Sequence, residues 1–265
     1  MPFTHYRTRG FIIRKEDKGE TDQILSVFTE DFGKLQILGK GIRKITSKLR
    51  PAADLFYLSE IEFIQGKNYK TLTDAILLKK FKNISQSLEK FEIVLKIAEA
   101  IDLLTSQEEK DEKIWNLAVL IFREIENLEI ENYKLKIIYF YFLWNLFAIL
   151  GYEPELYNCP ICNRKLLPET FYFIASQGGI VCWRCLGQLI KSEQLSESIK
   201  ENRKNIKESI GAKEIKIDTV KILRILLKND WLTAKKLKIS ETNNLWEISE
   251  RYFSYLKSEL SKKQD

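Results

Sequence analysis

The sequence QILSVFTEDFGKLQIL, at residues 23–38, decides the fold of the N-terminal part of the chain. Two runs rich in β-branched and large apolar residues, 23–29 and 34–38, flank Asp31-Phe32-Gly33. Such residues favour strands, and glycine supplies the positive φ that a tight hairpin turn requires. The stretch is therefore predicted to form an antiparallel β-hairpin.

Similar runs lie on both sides of this hairpin, at residues 11–13, 57–64 and 70–77. About five short strands separated by turns indicate a small closed barrel, and the five-stranded OB fold is a common form of it. Other small barrels fit the same pattern. We predict a barrel domain, interpreted as a nucleic-acid-binding OB fold, at residues 1–82.

From residue 83 onward the hydrophobic periodicity is helical, and residues 137–150 are apolar nearly all round. That length is typical of a buried core helix and too short for a bilayer span. Amphipathic patterns predict further helices at 186–202, 219–228 and 244–260. We expect an α+β protein whose second domain, residues 83–265, is helical.

All four cysteines of the chain occur in two Cys-x-x-Cys pairs. Cys159 and Cys162 form the first pair, Cys182 and Cys185 the second, with 19 residues between the pairs. Each tight turn can direct two thiolates at one ion, and two turns complete a tetrahedral shell. The pattern predicts one structural zinc ion in an insertion at about residues 155–190, because four cysteines leave no open position for a substrate.

Other uses of four cysteines are less favoured. Two disulfides need an oxidising compartment, whereas the first residues lack the apolar segment of a secretory signal. A redox dithiol needs only one such pair, and an iron–sulfur cluster also accepts four thiolates. We expect zinc, in a cytoplasmic protein.

The sequence lacks the residues that several classes of enzyme require. His5 is the only histidine, so a Ser-His-Asp or Cys-His triad would have to recruit it from the far N-terminus. The segment around Lys40 departs from the P-loop, since five residues separate Gly33 from Gly39 and Gly41 takes the place of Ser or Thr. Scattered carboxylates show no nuclease motif. We expect no enzymatic activity.

The net charge of +6 is concentrated at the N-terminus: residues 1–82 contain 16 Lys and Arg against 10 Asp and Glu, and the rest of the chain is balanced. Six basic and no acidic residues lie between positions 34 and 50. They are Lys34, Lys40, Arg43, Lys44, Lys48 and Arg50. On a small barrel, such a run favours salt-sensitive binding to a phosphate backbone over a merely solvated loop.

Aromatic side chains near the predicted strands could stack on unpaired bases, although each is more often part of a core. We select Tyr69, just before the last predicted strand, as the base-stacking candidate.

Short motifs along the chain occur in the order found in RecO-family proteins. They are TRGFII at 8–13, GETD at 19–22, FGK at 32–34, KGIRK at 40–44, KTLTDA at 70–75, GYEPEL at 151–156 before Cys159, and Gly178-Gly179 before Cys182. Each motif is weak alone, but their order, combined with a basic barrel and a four-cysteine site, is specific. The chain resembles the RecO family over most of residues 5–190.

This resemblance implies an OB fold, a helical domain carrying zinc, and no catalytic centre. It implies a recombination mediator of DNA repair that binds single- and double-stranded DNA and anneals complementary strands coated by single-strand binding protein. With RecR, such a protein promotes loading of RecA, which is an indirect partner, at the nucleoid. Lys40, Arg43 and Lys44 match the family's basic motif, although Lys44 stands where Arg is common. Asn163 replaces a frequent glycine, and Asn also adopts the left-handed conformation.

The rival interpretation is a zinc-ribbon module for protein interaction or transcription. In that case the basic loop is only solvated, and the protein is indifferent to DNA at every salt concentration.

Overall fold

The computed structural model describes residues 4–66, 68–129, 132–167, 171–193, 210–238 and 243–262. The chain divides into two compact units, residues 1–135 and 136–265. Each unit is described by itself.

A closed five-stranded barrel forms the start of the first unit. Its strands are β1 (His5–Lys18), β2 (Asp22–Thr29), β3 (Gly33–Gly39), β4 (Leu58–Gln65) and β5 (Lys70–Lys79). They are hydrogen-bonded in the order β1-β2-β3-β5-β4, and β4 pairs back with β1. Only the short β3–β5 pairing, at Ile37 and Leu38, is parallel. The predicted OB-fold barrel is confirmed.

The β2–β3 hairpin forms where the opening sequence predicts it. Gly33 has φ +64°, and the Thr29 hydroxyl donates a hydrogen bond of 2.7 Å to the Gly33 carbonyl across the turn. Alternate side chains of the strands point inward and fill the barrel with apolar groups. This core contains Ile12, Leu25, Val27, Leu35, Ile37, Ile42, Ala53, Ile61, Phe63 and Leu72.

Three helices complete the first unit: α1 (Lys82–Gln86), α2 (Leu88–Leu104) and α3 (Glu112–Asn127). Ser87 and Asp111 cap α2 and α3 by accepting hydrogen bonds from backbone N–H groups of the first turn. Phe11 of β1 packs on Phe122 of α3, with ring centroids 4.4 Å apart. These helices share a compact unit with the barrel, and the predicted domain boundary after residue 82 stays a prediction.

The second unit is built around α4 (Asn132–Ile149), whose residues from Ile137 to Phe147 are buried, as its uniformly apolar sequence predicts. The indole N–H of Trp144 donates a 2.9 Å hydrogen bond to Ser249. Later helices are α5 (Trp183–Glu193), α6 (Ile217–Leu226), α7 (Trp231–Ala234) and α8 (Asn243–Ser261). Positions 194–202 of the helix predicted at 186–202 lie outside the described residues. None of the described helices has the length and apolar character needed to cross a membrane.

A small antiparallel sheet accompanies these helices and was not predicted. Its strands are β6 (Phe171–Ile174), β7 (Gly179–Val181) and β8 (Ala212–Ile215), in the order β7-β6-β8. The second unit is therefore helical with a three-stranded sheet beside the cysteines.

Candidate nucleic-acid interface and metal centre

The four cysteines meet at one point in the second unit. Their sulfur atoms all lie within 4.8 Å of one another, and Cys162 Sγ is 3.8 Å from Cys182 Sγ. A regular tetrahedron with metal–sulfur bonds of about 2.3 Å has sulfur–sulfur edges of about 3.8 Å. The sulfurs therefore fit one four-coordinate ion. An iron–sulfur cluster fits less well, because its several atoms separate the cysteines that hold it.

We call residues 155–193 the cysteine module, described at 155–167 and 171–193. Its first pair lies on a tight turn: the N–H of Asn163 donates to the Cys159 carbonyl (2.8 Å), and the N–H of Cys159 donates to the Arg164 carbonyl (2.9 Å). Asn163 has φ +55°, the left-handed conformation expected at this position. Cys182 follows β7 directly, and Cys185 lies in the first turn of α5. A hairpin-like turn and a strand–helix junction thus supply two thiols each.

The backbone connects the two cysteine pairs. Glu155 donates its N–H to the Gly178 carbonyl (2.9 Å), and its own carbonyl accepts from Ile180 (3.0 Å). A Cβ atom at Gly179 would lie 2.4 Å from the Glu155 carbonyl oxygen. Only glycine permits this close approach, which brings the segment before Cys159 next to the segment before Cys182.

The surroundings shift the pKa values of two of the thiols, Cys159 and Cys185, in opposite directions. Burial raises the pKa of Cys159, but hydrogen bonds from the backbone of Cys182, Cys162 and Ile161 outweigh it and lower the pKa to about 7. Burial, reinforced by hydrogen bonds with the other three thiols, raises the pKa of Cys185. Thiolates ligate metals, so the backbone N–H groups around Cys159 favour the ligand form.

A second feature lies on the barrel and is called here the basic groove. It has a volume of about 650 Å³, and its lining includes Lys15, Arg43, Arg50, Tyr57 and Lys80, with Asp54 as the carboxylate. Asp54 is bound by Lys15 at 2.9 Å. Among the described residues, neither Arg50 nor Lys80 forms an ion pair with a carboxylate. The groove is thus a positively charged concave surface.

The contacts that close the barrel bring the groove residues together from distant positions in the sequence. The N–H of Phe56 donates to the Ile12 carbonyl at 2.8 Å, which places Asp54 and Tyr57 beside β1. Leu58 pairs with Lys79, so Lys80 lies next to Tyr57, whose hydroxyl hydrogen bond raises the Lys80 pKa. Sequence reasoning selected Arg43 and Arg50 but missed Lys15 and Lys80. No local motif marks those two lysines; only the strand pairing does.

The other predicted DNA-binding residues are placed differently. Lys40, Lys44 and Lys48 are exposed on the segment that leads into the groove. Tyr69 is 37% exposed, and the Lys18 ammonium lies 3.6 Å from the centroid of its ring. The DNA contacts of these four residues stay predictions.

Lys34 differs from the rest of the basic segment because it is buried. Its exposure is 7%, and its ammonium contacts the carbonyl and the carboxylate of Asp102. Burial lowers its pKa, while the Asp102 charge opposes that shift. The geometry gives Lys34 a partner inside the first unit, so we leave it out of the proposed DNA surface.

Two further arginines of β1 are neutralised by glutamates. Arg9 makes a bidentate pair with Glu30, at 2.6 and 2.7 Å. Arg7 binds Glu62 at 2.9 Å, and hydrogen bonds from Arg7 and His5 lower the pKa of Glu62 to about 2. This end of β1 therefore adds little net charge to the barrel.

The fold and the two sites define a class of protein: an OB-fold barrel with a basic groove, followed by a helical region carrying a four-cysteine metal-type site. Residues 1–81 match the family model "Recombination protein O N terminal", and residues 85–264 match "Recombination protein O C terminal". The chain belongs to the RecO family.

Curated relatives agree with this assignment. A protein named "DNA repair protein RecO" from Dehalococcoides mccartyi is 32% identical over 235 residues, which cover 89% of this chain and 83% of the relative. A protein of the same name from Thermoanaerobacter sp. is 28% identical over 240 residues, covering 88% and 84%. The predicted family resemblance is confirmed, and the family supports a role in DNA repair by recombination.

Proposed function

We propose that this protein is a non-catalytic recombination mediator that binds DNA through the basic groove and the exposed segment beside it. It anneals complementary single strands coated by single-strand binding protein and, with RecR, promotes the loading of RecA. It acts in the cytoplasm, at the nucleoid. One structural zinc ion, held by Cys159, Cys162, Cys182 and Cys185, stabilises its cysteine module.

The observation that carries the proposal is the basic groove on the OB-fold barrel. It places Arg50 and Lys80, which have no carboxylate partner in the described part of the chain, in one concavity with Arg43. Arg43 pairs with Asp17 at 3.2 Å, and Asp54 is engaged by Lys15. Cations without carboxylate partners are available to displace the counterions of a phosphate backbone. Lys40, Lys44 and Lys48 extend the positive surface beyond the groove, since all three are exposed.

Annealing by such a surface needs no bond chemistry. Two complementary strands repel each other through their phosphates, and a positive surface that holds both screens this repulsion. It also raises the local concentration of one strand around the other. Catalytic side chains are not required for this step, which agrees with the expectation that the protein is not an enzyme.

The test is fluorescence-anisotropy binding of labelled single-stranded DNA over about 50 to 200 mM salt. Wild type is compared with a K40A/R43A/K44A variant and with an R43A/R50A variant. The matched control is K113A/R123A, which removes two exposed cations from α3. We expect the slope of log affinity against log salt to fall by about one for each phosphate that a variant no longer binds. The control should keep the wild-type slope.

Annealing is then followed by mixing complementary strands coated with single-strand binding protein. The R43A/R50A variant should anneal more slowly, in proportion to its weaker DNA binding. Wild-type protein that binds no DNA at low salt would contradict the proposal. The zinc-stabilised interaction module would then be the better account.

A further inference from the structure

We propose that the cysteine module carries a second contact for single-stranded DNA, in which a base stacks on Trp183 and the neighbouring phosphates meet Arg164, Lys165 and Arg184. The inference goes beyond the proposed function, which uses only the basic groove and the exposed segment beside it. The two can fail separately.

The first observation is the position of Trp183. Its side chain is 55% exposed, although it lies between two metal-type ligands, Cys182 and Cys185. Trp115, Trp144 and Trp231 are each at most 9% exposed. Tryptophan normally buries a large apolar area, so an indole presented to solvent at the first residue of α5 has a planar face available for a ligand.

The second observation is the charge around this indole. A cavity of about 200 Å³ is lined by Trp183, Arg164, Lys165 and Arg184, together with apolar Leu167 and Phe171. Its described lining contains no carboxylate, and none of the three cations is paired with a carboxylate in the described part of the chain. Arg9 of the barrel, by contrast, is held by Glu30.

Arg184 is already placed beside the ring. Its guanidinium carbon lies 5.5 Å from the centroid of the Trp183 ring. In that position it can meet the phosphate of a nucleotide whose base lies on the indole. An aromatic face flanked by cations is the combination that binds single-stranded nucleic acid without sequence preference.

The cavity walls are attached to both cysteine pairs. Arg164 and Lys165 follow Cys162, and the Arg164 carbonyl accepts the N–H of Cys159 at 2.9 Å. On the other wall, Leu186 donates its N–H to the Cys182 carbonyl at 3.0 Å. A ligand would therefore meet side chains whose backbone is already fixed, which lowers the entropy cost of binding.

The site favours single-stranded DNA over duplex DNA, a small molecule or an acidic peptide. A duplex has no free base faces except at its ends, so it cannot use the indole. The cavity is smaller than the usual small-molecule site of about 300–1,000 Å³. An acidic peptide could meet the same cations but would not require the planar ring, and this difference is tested below.

The experiment uses the full-length, zinc-loaded protein and a labelled oligothymidine, with anisotropy measured over a salt series. The variants are W183A, W183F and R164A/K165A/R184A. The matched control, L232A, removes an apolar side chain that is 64% exposed elsewhere in the second unit. We expect W183A to weaken binding about tenfold with an unchanged salt slope, because stacking releases no counterions. The triple variant should lower the salt slope, and W183F should keep most of the affinity.

Two further measurements distinguish loss of stacking from loss of folding. Zinc content and melting temperature are measured for every variant, and DNA-induced quenching of tryptophan fluorescence is compared between wild type and W183F. The quenching should disappear in W183F. Wild-type affinity of zinc-loaded W183A, together with unchanged quenching in zinc-loaded W183F, would overturn the proposal.

An acidic peptide provides the last comparison. If a labelled aspartate-rich peptide binds W183A as tightly as wild type but no longer binds R164A/K165A/R184A, while DNA binding is unchanged in both variants, the surface is a peptide site and the proposal is wrong. If K40A/R43A/K44A abolishes DNA binding and W183A has no effect, this proposal fails while the proposed function stands.

Discussion

The carboxylate of Asp22 accepts a hydrogen bond of 2.7 Å from the backbone N–H of Gly41. Gly41 lies between Lys40 and Arg43 with φ +61°, so Asp22 fixes the turn that presents the basic segment. The Gly41 N–H is the largest cause of the lowered pKa of Asp22, and it is followed by the Thr21 hydroxyl. The lowered pKa extends the range in which the carboxylate is ionised, and so accepts this hydrogen bond, to more acidic pH.

Replacing Asp22 with alanine is expected to weaken DNA binding severalfold, although the change removes a negative charge. Charge alone would strengthen binding, so weaker binding would report the geometry of the turn. The affinity is measured by the fluorescence anisotropy of labelled single-stranded DNA at constant salt. D218A, which removes an exposed aspartate from the second unit, is the charge-matched control. Equal or tighter binding by D22A would show that the turn does not depend on Asp22.

Replacing Lys34 with alanine should affect folding rather than DNA binding. Its ammonium is buried against Asp102, and its removal leaves the Asp102 carbonyl without that donor. We expect the free energy of unfolding to fall by about 1–3 kcal/mol in a urea titration. The salt slope of DNA binding should not change. R43A provides the comparison, since it should lower the slope and leave stability nearly intact. A lower slope in K34A would place Lys34 at the DNA.

Replacing Cys182 with serine should abolish metal binding. Wild type is expected to contain one zinc ion per chain by elemental analysis, and C182S less than a tenth of that. Because metal binding is coupled to local folding, the melting temperature of C182S should also fall. S192A, a small change at an exposed position of α5 that leaves all four cysteines in place, is the control. Full zinc content in C182S would contradict the proposed site.

Two glycines of the cysteine module should respond in opposite ways to alanine. G179A places a Cβ atom 2.4 Å from the Glu155 carbonyl oxygen and should destabilise the protein by about 1–3 kcal/mol. Gly187 lies within α5, and a Cβ atom there would meet nothing within 4 Å. G187A should therefore stabilise the helix by about 0.5–1 kcal/mol. Thermal unfolding of both variants measures the difference, and equal effects would disprove the close approach at Gly179.

Local patterns made the barrel and the cysteine cluster predictable. The hairpin at residues 23–38 contains its own turn, and each Cys-x-x-Cys pair is positioned by neighbours in sequence. β1 was predicted only at residues 11–13, whereas it spans His5–Lys18. Its ends carry charged, exposed side chains, and their strand conformation comes from pairing with β2 and β4.

Features that depend on contacts between residues far apart in the sequence were not predictable. β6 to β8 have only three or four residues each, which is too short for a periodic pattern. Lys15 and Lys80 lie 65 positions apart and meet in the basic groove only through strand pairing. Burial of Lys34 likewise depends on Asp102, which lies on α2.

Because the arginines near the start of β1 are paired with glutamates, the net positive charge of the barrel lies mainly near the other end of this strand. Arg9 is paired with Glu30, while Lys15, six residues further along the strand and therefore about 20 Å away, borders the basic groove. Lys15 is itself paired with Asp54, so the charge that attracts a polyanion at this end comes from Arg50 and Lys80 across the groove. The end at Arg9 has no such unpaired cation beside it in the described part of the chain. A DNA strand that diffuses toward the barrel would therefore be turned to the groove side before any short-range contact forms, which limits unproductive encounters.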